Sequence, residues 1–132
     1  MKMMNLLAAL WMGATAGFAY AHGNHASPGP MVKEQKAWGV AGDMQPGLRT
    51  ITLVMTDDMR FTPSHFTVKQ GETVRLRVEN KGQIMHEVVL GTQASLDQHA
   101  QMMLKSPGME HDAPYMAHVA AGKSQDLVWK FN

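Results

Sequence analysis

Val74-Arg75-Leu76-Arg77-Val78-Glu79 alternates apolar and charged side chains without interruption. Successive side chains of an extended segment point to opposite faces, so these six residues predict a strand with one dry and one wet face. Reading outward, Gln70-Gly71-Glu72 supplies a turn before it and Asn80-Lys81-Gly82 a turn after it. Phe66 and Val68 are expected to form a short strand ahead of the first turn. Beyond the second turn, Met85-His86-Glu87-Val88-Val89-Leu90-Gly91 holds a nearly continuous apolar run, the pattern of a strand buried on both sides. Ile51, Leu53 and Met55 alternate with Thr50, Thr52 and Val54 and stop at Asp57-Asp58, which predicts another strand.

Ser95 followed by Gln98 has capping-box spacing, and the helix formers from Leu96 to Leu104 run until Pro107-Gly108, so one short helix is expected there. Ala113-Pro114 marks an irregular stretch, and Ala121-Gly122-Lys123 a turn. Leu127, Trp129 and Phe131 then alternate with Val128 and Lys130 as a closing strand. Several short strands at regular spacing with one helix predict an all-β fold, an antiparallel Greek-key β-sandwich or barrel.

The 132 residues, 45% hydrophobic, suit a single domain. Lys2, the apolar run Leu6 to Phe18 and Ala19-Tyr20-Ala21 read as a signal peptide over residues 1–21, so export to the periplasm is expected, with no membrane span after cleavage. Residues 22–47 carry Pro28, Pro30, Pro46 and several glycines and are expected to form a flexible arm pinned near Trp38, with the ordered domain over 48–132. A formal net charge of +1 offers nothing to attract nucleic acid. The chain has no cysteine, so an exported form has no disulfide framework and no thiolate ligand.

Four of the 13 methionines (Met1, Met3, Met4 and Met12) lie in the leader, while all seven histidines follow it. Thioether sulfur selects Cu(I) and imidazole accepts copper in either oxidation state, so copper is the metal this composition suits. Met109-Glu110-His111 and Met116-Ala117-His118 share one spacing, which in extended backbone presents sulfur and nitrogen on one side. They are equally readable as surface histidines and gap-filling methionines. His99, Met102 and Met103 share a helix face, a stripe that reads first as packing, as do Met55 and Met85 on their strands. His22, exposed by cleavage, offers an α-amine and a ring nitrogen to Cu(II), with His25 nearby; a functionless tail is the plainer reading. His86 opens a strand from which its ring reaches the end of a sandwich, given an acceptor to set its tautomer.

From Val54 to Asn132 the chain resembles the cupredoxins, and among them the bacterial periplasmic copper-tolerance cupredoxins. The matching residues are Met55-Thr56-Asp57, Met59-Arg60-Phe61-Thr62-Pro63, Asn80-Lys81-Gly82, Met85-His86-Glu87, Met109-Glu110-His111-Asp112, Pro114-Tyr115-Met116-Ala117-His118-Val119 and Trp129-Lys130-Phe131-Asn132. The resemblance implies that His86 is the first histidine ligand of a type 1 copper site. It also implies that a cysteine, a second histidine and usually a methionine follow on a hairpin beyond the position of Asn132. Lacking that last strand, the chain as written is expected not to complete such a site, because His2Cys ligation needs the thiolate.

The function expected is that of a periplasmic copper-binding protein related to electron-transfer and copper-tolerance proteins, with a redox or copper-delivery protein as partner. His86 is the principal metal candidate, followed by Met109, His111, Met116, His118 and His22. The alternative is a metal-free β-sandwich interaction module completed by a partner strand. Enzymatic activity is not expected: no G-x-S-x-G or H-E-x-x-H pattern is present.

Overall fold

A computed structural model describes residues 33–109 and 111–132; the leader reading over 1–21, His22 and His25 lie outside them. Its strands are β1 (Val40–Ala41), β2 (Arg49–Thr56), β3 (Arg60–Thr62), β4 (Thr73–Asn80), β5 (His86–Val89), β6 (Met116–Val119) and β7 (Ser124–Lys130), with helix α1 (Gln93–Lys105) between β5 and β6. One sheet has the order β1-β7-β4-β2-β3, and β5 pairs with β6 in a second. The two sheets do not close into a barrel, and the arrangement is an all-β sandwich with one helix.

The period-2 pattern drives this assembly. β4 alternates half-buried and buried positions along its whole length, and Val74, Leu76 and Val78 are fully buried. Ile51, Leu53 and Met55 from β2 and Leu127 from β7 flank them, while Val88, Ala117 and Val119 of the second sheet face them across the core. Each such side chain removed from water stabilises the fold by roughly 1.5–3 kcal/mol, so the pairing of these two faces dominates. The opposite face of β4 is wet: Arg75 bonds Asp126 on β7 at 2.7 Å, and Arg77 bonds Glu79 at 3.3 Å. Exposed pairs of this kind contribute little beyond solubility.

Three expectations change. Phe66 and Val68 pack against the core but lie in irregular chain; the short strand is β3, hairpinned on β2. β2 and β4 run parallel, with Ile51 opposite Leu76, because residues 57–72 carry the chain back to the start of β2. The helix starts earlier, with Thr92 as N-cap accepting from the Ser95 backbone N–H at 3.2 Å. Before Leu48, Lys36 bridges Gly39 and β1 follows. Val40 and Ala41 pair with Lys130 and Trp129, and the Trp129 indole N–H donates to the Trp38 carbonyl at 3.0 Å. Gly39, at φ 135°, is required at this point, since a Cβ there would lie 2.1 Å from the Lys130 carbonyl oxygen.

Candidate metal centre

His86 is placed by the turn that precedes it. Asn80, 1% exposed, uses its amide to donate to the Ile84 and Val119 carbonyls at 2.7 and 2.8 Å and its oxygen to accept from the Gly82 N–H. This ties the turn to both sheets. Gly82 lies so close to Asp57 that a Cβ would overlap the carboxylate oxygen. Asp57 accepts from the Gln83 N–H at 2.8 Å and sits 2.9 Å from His86 Nε2. These two contacts, the backbone bond first, hold its carboxyl below the usual carboxylate range. An ionised carboxylate only accepts, so His86 donates to it through Nε2. The acceptor that the sequence reading required is therefore Asp57. His86 is nonetheless nearly buried, at 6% exposure, beside a small cavity lined by Met55, Met59 and Phe61.

The neighbouring residue opens a different site. Glu87 projects to the other side of β5 and is paired in register with His118 on β6. Its carboxylate meets His118 Nε2 at 2.7 Å and His99 Nε2, from α1, at 2.9 Å. The His99 and His111 rings lie 5.0 Å apart between centroids, and those of His111 and His118 6.2 Å apart. Donor atoms of Glu87, His99 and His111 all fall within 4.8 Å of one another. His111 Nδ1 is 3.1 Å from the Met109 carbonyl oxygen, while its Nε2 is buried with no hydrogen-bond partner among the described residues. A buried polar atom left unpaired costs free energy that a bound cation would recover.

Aromatic packing holds this side of the molecule. Tyr115 stacks edge-on against Trp38 at 5.4 Å and Trp129 at 6.2 Å, fixing the chain that leads from His111 into β6. Lining the same cavity as Glu87, His111 and His118 are Met59, Met85, Met103 and Met109.

The sequence candidates therefore separate. His111 and His118 come together, with Met109 at the cavity wall. Met116 shares a strand face with His118 but is buried and lines a different cavity with Leu127 and Val128. Met85, read as packing, is 61% exposed, whereas Met55 is in the core as expected. Two members of the cluster escaped the sequence reading: Glu87, which was given no role there, and His99, assigned to helix packing. Their signal was the i, i+4 pair His99 and Met103 together with a carboxylate on an adjacent strand.

No family model matches the chain. It is 50% identical over 94 residues to a protein named copper-resistant cuproprotein CopI from Rubrivivax gelatinosus, covering 71% of this chain and 57% of that protein. Proteins of the same name from Vibrio cholerae and Pseudomonas aeruginosa are 30% identical over 84 residues and 29% over 148 residues. These alignments cover 63% and 90% of this chain and 50% and 75% of the relatives. The chain spans about half the length of the first two relatives. Its relationship is thus to proteins named for copper resistance.

Proposed function

We propose that this chain is a periplasmic copper-binding protein of cupredoxin-like fold that serves copper tolerance, and that Glu87, His99, His111 and His118 hold the ion. The observation that carries the reading is the convergence of three imidazoles and one carboxylate from β5, α1, β6 and the loop between the last two, with one ring nitrogen buried and unpaired among the described residues. Nitrogen-rich donors with a single carboxylate suit Cu(II) and disfavour Mg and Ca. The relatives' names favour copper over zinc, which the same donors would accept.

Type 1 chemistry does not fit the residues of this sequence, because none supplies a thiolate. We therefore read the centre as one that captures copper, with a redox or copper-delivery protein as its partner, and not as a catalyst. Cu(II) titration of the full chain, followed by electron paramagnetic resonance, tests the assignment. A His99→Phe/His111→Phe/His118→Phe variant is expected to bind at least about tenfold more weakly, and His86→Phe to bind as wild type does. A triple variant with unchanged affinity would overturn the proposal.

A further inference from the structure

We infer that the cavity beside the histidine cluster is a second, soft-metal site, taking a monovalent thiophilic cation such as Cu(I) through the thioethers of Met59, Met85, Met103 and Met109. Four sulfur-bearing side chains from four separate segments border one cavity of about 610 Å³: the β2–β3 turn, the residue before β5, helix α1 and the chain just after it. Methionine ordinarily fills irregular space in a core, as Met55 and Met116 do here. Three of these four do the opposite, since Met59 is 75%, Met85 61% and Met109 40% exposed, and Met103 is half-buried.

Met59 also adopts φ 60°, a left-handed backbone that glycine or asparagine occupies at lower cost. Strain retained by a bulky, water-exposed residue is understandable if its side chain has work at that spot. Thioether sulfur is neutral and polarizable, so it favours a monovalent d10 ion over the divalent ions that imidazole and carboxylate hold. Glu87, His111 and His118 form part of the same cavity wall, which sets the sulfur donors directly beside the nitrogen donors.

The biological ion named here rests on the copper reading above, but the donors are separate, and the two assignments fail separately. Ag(I), which is soft and does not change oxidation state, is the probe. The full chain carrying Met59→Leu, Met85→Leu, Met103→Leu and Met109→Leu is expected to lose at least about tenfold in Ag(I) affinity, a swap of similar volume. Its Cu(II) affinity should stay at the wild-type value, and the histidine triple variant should show the converse. As a check that needs no variant, Ag(I) added to wild type labelled at methionine methyls should shift the resonances of these four and leave those of Met55 and Met116 in place. Unchanged Ag(I) affinity in the leucine variant, or methyl resonances of the four that do not respond, would overturn the inference.

Discussion

Asp57 and His86 form a pair in which a carboxylate holds a ring, and the consequence is a dependence on acidity. Glu72, whose carboxyl is lowered chiefly by the Lys69 N–H, and Glu79, lowered by Lys81 and Arg77, behave alike. A carboxyl whose folded-state value is depressed adds stability that is complete above the ordinary range near pH ~4 and disappears as pH falls through the folded value. Thermal unfolding followed from neutral to acid pH should therefore show a falling Tm below that range. Asp57→Asn should lower Tm at neutral pH and make the acid decline shallower, since one group no longer titrates. An unchanged acid slope in the variant would show that Asp57 carries none of it. Asp57 also illustrates what the sequence offered at this scale: the need for an acceptor behind His86 was legible, but its identity, 29 residues away, was not.

Helix α1, like the short strands β1 and β3, has no buried residue. Its docked face is thin, with Leu96, His99 and Met103 half-buried along it, and the Thr92 cap and the bond from His99 to Glu87 help to hold it. Most helical stability in proteins comes from packing, so α1 should open more readily than the strands. Amide exchange across residues 93–105 is expected to slow when Cu(II) is added, with β4 unaffected; equal protection with and without metal would detach the helix from the site. Thr92→Ala should cost about 1 kcal/mol and weaken Cu(II) binding as His99 is released, measured by denaturant unfolding and titration.

The strands β2, β4 and β7 were readable because each buries one face, and alternation records that directly. Alternation does not record direction, which is why the parallel pairing of β2 with β4 was missed. The helix was placed correctly but started late, since the Ser95–Gln98 spacing imitates a cap that Thr92 provides.

Across the whole molecule, Trp129 joins the parts on which the site depends. It is 1% exposed, bonds Trp38 and packs against Tyr115, so the chain before β1, strand β7 and the approach to β6 meet at one side chain. Trp129→Ala is expected to destabilise the fold by about 3–5 kcal/mol, seen as a shift in the denaturant midpoint. A loss below about 1 kcal/mol would mean that these parts are independently held.

The cluster itself was only half legible for a reason of the same scale. His111 and His118 stood out by their repeated spacing with methionine, whereas Glu87 and His99 acquire meaning only through the register of β5 on β6 and the resting place of α1. Long-range docking is not written into local periodicity.

Crystals of the full chain grown with Cu(II) and measured at the copper absorption edge would locate the ion without assumption. The account predicts an anomalous peak among Glu87, His99, His111 and His118, about 2 Å from imidazole nitrogen. Copper found instead at His86 beside Asp57, with the four-residue cluster empty, would contradict it.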